Sequence, residues 1–194
     1  MDNRAALLRG ARACLDERGY ARTRARHVAA AAGVSTAAIG YHFGTTDSLL
    51  VEALMRGIEE WSARLDDRLR SAPARPQRER LAAIWGSVTE SFHGYRGVLA
   101  ASFELIARAD EDSELRDQLR LTVEHARHGL ATQMLDIDPQ REPERAHRAG
   151  TVCYAMLSGL IVQWLVEPTN LPDRDALADG LLDALGESGD RTGS

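Results

Sequence analysis

A short stretch around residue 39 brings together hydroxyl, phenol and imidazole groups at helical spacing. The Thr36 hydroxyl can hydrogen-bond to the edge of a base, and the methyl groups of Ala37 and Ala38 can contact thymine methyls. These small side chains would also let a helix backbone lie close to base edges in a major groove. Tyr41 and His42 can donate hydrogen bonds to phosphate oxygens. The stretch therefore predicts contact with duplex DNA, although a pattern of this kind also arises by chance.

Two short helices joined by a glycine-centred turn would present this stretch. Apolar spacing predicts them over about residues 24–31 and 36–43. Gly33 can take the left-handed turn conformation that most residues avoid. Val34 and Ile39 can fill the space where the helices cross, and Ser35 can cap the second helix. This arrangement is a helix-turn-helix pattern.

Three segments of the first fifty residues form a recognisable pattern: GYART at 19–23, HVAAAAGVS at 27–35 and IGYHFGTTDSLL at 39–50. Together they resemble the DNA-binding segment of TetR-family transcriptional regulators. The resemblance covers about residues 4–54, and the spacing of AGVS, YHF and LL makes it specific. It implies that Phe43 seats the recognition helix on a long following helix. The DNA contacts that it implies are Arg26, His27, Ser35, Thr36, Ala37, Ala38, Tyr41, His42 and Thr46.

Two positions depart from the pattern of that family. Gly40 stands where many members have tyrosine, and Thr46 replaces the usual lysine. A lysine would hold a phosphate by charge, whereas Thr46 at a helix N-terminus can offer hydroxyl and backbone donors together with the helix dipole. Losing one cationic contact should flatten the salt dependence of DNA binding by about one unit of slope.

The rest of the chain has helical periodicity, without sustained alternation of period two. We therefore predict an all-α fold of about nine helices. These are expected over about residues 3–18, 24–31, 36–43, 46–70, 77–93, 95–108, 113–135, 144–166 and 173–185. Together with the resemblance, this predicts an N-terminal three-helix helix-turn-helix DNA-binding domain at 1–48. A C-terminal helical effector-binding and dimerisation domain is expected at 49–186 and a flexible tail at 187–194.

The composition indicates a globular protein with an uneven charge distribution. The chain has 194 residues, of which 44% are hydrophobic and 27% charged, so collagen-like and disordered classes are excluded. Residues 1–50 hold seven arginines against four acids, a net charge of +3, whereas the remainder has a net charge of −8. This uneven charge either directs the N-terminal segment toward a polyanion or reflects an ordinary distribution of charged residues over the surface.

Several features bear on compartment and cofactors. Residues 1–4 carry no apolar signal core, and the apolar-rich run at 151–166 is shorter than the about 20 residues of a membrane span. Cys14 and Cys153 lie far apart without a CxxC pair, which argues against a disulfide framework or a zinc cluster. We expect a cytoplasmic protein with no membrane association, no metal and no cofactor.

The apolar run at 151–166 must be buried, because it is apolar nearly all round. It is either a central core helix or a helix between its own core and a partner subunit, and periodicity leaves this choice open. The resemblance implies that the last two helices form the interface of a homodimer. The dimerisation residues predicted on this basis are Met156, Leu160, Trp164, Leu177 and Leu181.

A small-molecule effector site is also implied by the resemblance, and aromatic residues of the middle helices could line it. Each of these aromatics could equally be plain core, and a few polar side chains could anchor a ligand. The predicted effector residues are Trp61, Trp85, Phe92, His93, Phe103, His125, Tyr154 and Gln163. His125 and His128 have the spacing of metal ligands, but no third ligand follows in the sequence.

An enzyme is not expected, because the sequence contains no GxSxG, no glycine-rich phosphate loop and no HExxH. The predicted function is a repressor that binds a pseudo-palindromic operator as a homodimer and is released by a small-molecule effector. The alternative is a helical small-molecule-binding protein with weakened DNA reading, which Gly40 and Thr46 keep open. A helical-bundle enzyme is a further, less favoured alternative.

Overall fold

A computed structural model of the chain describes residues 2–70, 76–110 and 113–184, and these residues are helical without a strand. The α-helices are α1 (Asn3–Arg18), α2 (Ala25–Ala32), α3 (Ala37–Phe43), α4 (Thr46–Arg70), α5 (Gln77–Ser91), α6 (Arg96–Ile106), α7 (Ser113–Leu135), α8 (Pro143–Val166) and α9 (Arg174–Ala184). A 3-10 turn, Phe92–Tyr95, links α5 to α6. The predicted all-α fold is confirmed, and each predicted helix boundary lies within two residues of the observed one.

Glycines end the first three helices, at Gly19, Gly33 and Gly44. Gly33 has φ 66° and ψ 31°, the left-handed conformation that the sequence predicted for the turn. The start of α1 is capped by Asp2, whose carboxylate accepts two backbone N–H groups of the first turn. Local sequence signals thus set the ends of these helices.

One compact unit consists of residues 1–63 and 93–122. Its core is built on α1, the first half of α4 and α6, and the short helices α2 and α3 join it through Val28 and Ile39. The fully buried leucines of this core are Leu7, Leu15, Leu49, Leu54 and Leu105. Burying one such side chain stabilises the fold by about 1.5–3 kcal/mol, so this core can hold helices too short to be stable alone.

A second compact unit consists of the described residues within 64–92 and 123–184. Phe92 and Trp164 form the centre of its core, with ring centroids 5.5 Å apart and Trp85 also buried. Helix α5 packs against α9, where the Arg78 guanidinium donates two hydrogen bonds, of 2.6 and 2.8 Å, to the Asp179 carboxylate.

The predicted domain boundary after residue 48 was set by the end of the DNA-binding segment, whereas the packing of the helices divides the chain differently. The compact units place α6 and the first part of α7 with the N-terminal helices, and α4 runs from the first unit into the second. The boundary at 48 therefore stays a prediction, and the predicted tail at 187–194 lies outside the described residues.

Helix α8 is longer than the apolar run from which it was predicted. It has 24 residues, and 33% of its most apolar stretch is buried. By length and composition alone it is the one helix of the described residues that could cross a membrane. The core helix of a soluble protein meets the same criterion.

Candidate nucleic-acid interface

The turn between α2 and α3 has the geometry of a helix-turn-helix motif. After Gly33, the backbone N–H of Val34 donates to the carbonyl of Ala29 at 3.1 Å. Val34 is half-buried against the core and Ile39 is 3% exposed, as the sequence predicted for the residues that fill the crossing. The turn and these two side chains fix the direction in which α3 leaves α2.

Helix α3 presents an exposed face formed by the predicted base-contacting residues. Ser35, Thr36 and Ala37 are exposed, and Ala38 is half-buried against the core. On the opposite side, Ile39 is the residue of α3 that is buried. The face that points away from the core is thus the one that carries small side chains and a hydroxyl, which suits close approach to base edges.

The C-terminal half of this face is dominated by Tyr41, whose side chain is 86% exposed. The His42 ring packs edge-on against it at 4.9 Å between centroids and is half-buried. A Cβ added at Gly40 would meet no atom within 4 Å, so the missing tyrosine leaves open space on the surface. Tyr41 is therefore the large side chain of α3 that is free to reach a phosphate.

The end of α3 is fastened to α1 and α4 through Phe43, which is half-buried against the core. The Arg4 guanidinium of α1 lies 5.0 Å from the centre of the Phe43 ring, a cation–π contact. Arg4 also donates two hydrogen bonds, of 2.7 and 2.8 Å, to the Glu52 carboxylate of α4. Phe43 is thus packed on the core and against Arg4, and its role in seating the recognition helix on α4 stays a prediction. The sequence analysis did not single out Arg4.

Capping of α3 and α4 differs from the prediction. Helix α3 begins at Ala37 with no side-chain cap, and Ser35 contributes its backbone carbonyl to the Ala38 N–H at 3.1 Å. The predicted Ser35 side-chain cap is therefore wrong. In α4, the Thr45 hydroxyl oxygen accepts the Ser48 N–H at 3.0 Å and caps the helix, which the spacing of Thr45 and Ser48 would have indicated.

Arg26 and His27 lie together at the start of α2. The His27 Nδ1 accepts the backbone N–H of Arg24 at 3.2 Å, and its Nε2 lies 3.4 Å from the Nε of Arg26. A neutral imidazole carries one proton, so it accepts a hydrogen bond at one ring nitrogen at a time. The exposed Arg26 guanidinium beside this ring has further N–H groups that can donate to an anion.

A polar cluster within the first unit braces the start of α4 and was missed in the sequence. The Asp47 carboxylate accepts the Tyr20 hydroxyl at 2.8 Å and the Arg108 guanidinium at 3.0 Å. The Glu104 carboxylate accepts the backbone N–H of Ala21 at 2.8 Å and that of Tyr20 at 3.4 Å. Burial and the neighbouring Asp47 raise the pKa of Tyr20. The hydrogen bond from Arg108 to Asp47 raises the pKa of Arg108.

The predicted effector residues fall in both compact units. Trp61, His93 and Phe103 belong to the first. Trp61 is buried, Phe103 is half-buried and His93 is exposed. The remaining five belong to the second unit and are Trp85, Phe92, His125, Tyr154 and Gln163.

Within the second unit, the predicted effector residues differ in exposure. Trp85 and Phe92 are core residues, and Tyr154 is half-buried. His125 and Gln163 are exposed, and the Gln163 amide donates to the carbonyl of Gly159 in its own helix at 3.4 Å. Burial thus leaves Tyr154 as the aromatic of this set with partial access to solvent.

Two surface grooves among the described residues have no predicted effector residue in their lining. One, of about 480 Å³, lies between α1 and α4 in the first unit and is lined in part by Arg9, Arg12 and Arg56. The other, of about 460 Å³, lies beside the start of α9 in the second unit, at Thr89, Glu90 and Asp173 among others. No group of three metal-binding side chains was found among the described residues.

The predicted dimerisation residues range from buried to half-buried within one chain. Trp164 is 2% exposed and packs against Phe92 in the core, whereas Met156, Leu160, Leu177 and Leu181 are half-buried. A more exposed apolar stripe lies on α8 at intervals of three and four residues. Its members are Val152, Ala155, Gly159, Val162 and Val166, of which Val152 is 60% and Val166 81% exposed.

Two family profiles match different parts of the chain. The profile of the bacterial regulatory proteins of the tetR family matches residues 7–53, and that of the tetracyclin repressor-like C-terminal domain matches residues 76–191. The HTH-type transcriptional regulator CymR of Pseudomonas putida is 32% identical over 127 residues. This alignment covers 66% of this chain and 61% of CymR, so the chain spans less than two thirds of that relative.

Solved structures with the same fold are also regulators by description. One from Rhodococcus sp. Rha1 has a TM-score of 0.69 at 23% identity, over 93% of this chain and 96% of its own. Another from Rhodococcus sp. RHA1 has a TM-score of 0.73 at 16% identity, over 95% of each chain. A regulator from Saccharomonospora viridis, solved in complex with choline, has a TM-score of 0.64 at 21% identity, over 95% of this chain and 96% of its own. At these identities the likeness concerns the fold.

Proposed function

Because the chain belongs to the TetR family of transcriptional regulators, we propose that it is a repressor that binds a pseudo-palindromic DNA operator as a homodimer. A small-molecule effector releases it from the operator, and it acts in the cytoplasm. The observation that carries the proposal is the exposed face of α3, which holds Thr36, Ala37 and Tyr41 outward while Ile39 anchors the opposite side.

In this proposal the N-terminal end of α3 enters a major groove. Ser35, Thr36 and Ala37 meet base edges there, and Ala38 supports them as a small, half-buried neighbour. Hydroxyl and methyl groups of these residues are suited to recognise thymine-containing steps, because the thymine methyl and O4 are exposed in that groove. This end of the helix therefore supplies sequence preference.

Phosphate contacts surround the recognition face. Tyr41 and His42 contact phosphates from the end of α3, and the adjacent Arg26 and His27 contact them from the start of α2. Thr46 is half-buried in the first turn of α4, where Thr45 supplies the cap and leaves the Thr46 hydroxyl available for a phosphate. These contacts position the protein on the duplex without reading sequence.

The exposed apolar stripe of α8 supports a homodimer. Apolar side chains as exposed as Val152 and Val166 are costly on the surface of a monomer when they form a continuous stripe. Gly159 lies in this stripe, and a Cβ there would meet no atom of its own chain within 4 Å, so a second helix can approach closely. A two-fold pair of recognition helices would then reach successive major grooves, about 34–36 Å apart.

The effector step rests on the family resemblance and on the linking position of α4. An effector bound in the second unit, with Tyr154 the half-buried aromatic nearest to solvent there, would favour a spacing of the recognition helices that no longer fits the operator. Its effect can be no larger than its difference in affinity for the two states.

The alternative is a small-molecule-binding protein with weakened DNA reading. Gly40 and Thr46 favour it, because they remove a ring and a positive charge from the interface.

One experiment distinguishes the two functions: duplexes that the protein binds are selected from random DNA at stated salt, and binding of the selected duplex is then measured. The Thr36→Ala and Tyr41→Ala variants should each weaken binding, by about fivefold or more for the base-contacting threonine. Thr169→Ala, an exposed threonine of the second unit, is the matched control. Recovery of no symmetric duplex would refute the repressor proposal.

A further inference from the structure

We propose that Glu104 and Arg108 are positioning residues for DNA binding, which hold the helix-turn-helix segment from α6 and the turn that follows it. The inference rests on the proposed function, because it concerns how the recognition face is presented to DNA. Neither residue lies in the resembling segment at 4–54. Both act on it through Tyr20 and Asp47.

Glu104 holds the turn between α1 and α2. Its two carboxylate oxygens accept the backbone N–H groups of Tyr20 and Ala21, at 3.4 and 2.8 Å. Gly19 permits this approach, because an added Cβ would lie 3.0 Å from the Glu104 carboxylate. The turn leads directly into α2, which carries Arg26 and His27, so Glu104 fixes the point from which the first helix of the motif starts.

Arg108 holds the start of α4 through the carboxylate of Asp47. Its guanidinium donates to Asp47 at 3.0 Å and lies 5.5 Å from the centre of the Tyr20 ring. The Tyr20 hydroxyl donates to the same carboxylate oxygen at 2.8 Å. Tyr20 is thus held at its backbone, its ring and its hydroxyl, and it joins the α1–α2 turn to the first turn of α4.

The ion pair between Arg108 and Asp47 is half exposed, with side-chain exposures of 39% for Arg108 and 52% for Asp47. Such pairs contribute little to folding stability, so the fold should survive their loss. We expect Arg108→Gln to weaken binding of the selected duplex by about fivefold, the upper end for an exposed pair. Arg116→Gln is the matched control, because it removes the same charge from the same unit, where Arg116 pairs with the fully exposed Asp110.

Fluorescence anisotropy with the labelled duplex at four salt concentrations tests the role. A positioning residue lowers affinity and leaves the slope of log K against log salt unchanged, whereas a phosphate contact lowers that slope by about one unit. Arg108→Lys should recover most of the affinity by pairing with Asp47. In an Asp47→Asn background, Arg108→Gln should cost less than about twofold, because the carboxylate that it serves is gone.

The Glu104 part of the proposal has its own readout. Glu104→Gln keeps the size of the side chain but weakens its acceptor strength, so hydrogen exchange at the Tyr20 and Ala21 amides should become faster. Tyr20→Phe retains the ring and removes the bond to Asp47, and it serves as a second variant should Arg108→Gln unfold.

Three results would overturn the inference: equal affinities for Arg108→Gln and Arg116→Gln, a reduced salt slope, or unchanged amide exchange in Glu104→Gln. If the wild-type chain binds no selected duplex, the proposed function is wrong and the inference falls with it. If the wild-type chain binds and Arg108→Gln behaves as Arg116→Gln does, the inference about positioning alone is wrong.

Discussion

Replacing Gly150 with alanine should destabilise the second unit, because no room exists for a methyl group where α8 crosses α7. An added Cβ would lie 2.7 Å from the carbonyl carbon of Arg127 and 3.0 Å from its Cα, with the carbonyl oxygen nearer still. Ordinary contact begins at 3.4 Å, so the backbone of α7 would have to retreat by about 0.7 Å at the carbonyl carbon and by more at the carbonyl oxygen. The obstacle is backbone within a helix, which cannot rotate aside as a side chain could.

The magnitude follows from two opposing terms. Overpacking of this kind costs about 1–3 kcal/mol. Alanine in place of glycine inside a helix returns up to about 1 kcal/mol. Gly129 in α7 is a matched control, because an added Cβ there would meet no atom within 4 Å. Gly129→Ala should therefore stabilise the protein by up to about 1 kcal/mol, and the gap between the two variants should be about 1–3 kcal/mol.

Urea unfolding followed by far-ultraviolet circular dichroism measures this gap. Protein concentration must be the same for every variant, because the stability of the proposed homodimer would depend on it. Since the helix-propensity term is common to Gly150→Ala and Gly129→Ala, their difference isolates the steric cost of the helix crossing. Equal stabilisation of both variants would show that α7 and α8 do not meet at Gly150 and would refute the reasoning.

Three further predictions concern capping, ionisation and assembly. Thr45→Ala removes the cap that Ser48 uses and should lower the free energy of unfolding by about 1 kcal/mol, measured by thermal denaturation. Because burial and Asp47 raise the pKa of Tyr20, the Tyr20 hydroxyl loses its proton at a lower pH in the unfolded chain than in the folded chain. The resulting stabilisation is complete below the unfolded pKa and decreases as pH rises above it, so Tyr20→Phe should lose less stability than the wild type between about pH 9 and 11. Val152→Glu buries a charge in the proposed interface and should weaken self-association by about tenfold or more in sedimentation equilibrium, whereas an unchanged dimer would exclude that face.

Most of the fold could be predicted from the sequence because its signals are local. Gly33 ends α2 in the conformation that the turn requires, and the apolar spacing placed Ile39 on the buried side of α3. Helix boundaries followed from such breakers and from periodicity, which depend on neighbours within a few residues. Capping was less successful, because Ser35 and Thr45 both precede a helix and only one of them turns its hydroxyl onto the backbone.

The contacts that brace the recognition face could not be predicted from the sequence. Arg4 and Glu52 are 48 positions apart, Asp47 and Arg108 are 61 apart, and Tyr20 and Glu104 are 84 apart. Charged residues at these separations leave no periodic pattern, and arginines are frequent throughout the chain. Which pairs form is decided by how α1, α4 and α6 pack, so it emerges only with the tertiary structure.

The effector site was the least predictable part, because aromatic residues alone do not distinguish a cavity from a core. Phe92 and Trp164 belong to two different predictions, one for effector binding and one for dimerisation, yet they pack on each other inside one chain. Both assignments depended on hydrophobicity, which core, cavity and interface share. Residues of the α8 stripe such as Val152 are distinguished by exposure, and exposure cannot be read from composition.

The recognition helix depends on its surroundings more than the other helices do. Helix α3 has seven residues, too few to be stable in water, and Ile39 is the residue of it that is buried. Its outward face contributes little hydrophobic stabilisation, because Ala37, Gly40 and Tyr41 are exposed there. The position of α3 is therefore set by residues outside it, through Arg4 at Phe43 and through the braced start of α4. A substitution such as Arg4→Ala, which alters no residue of α3, should thus weaken operator binding, since both contacts that Arg4 makes are lost together.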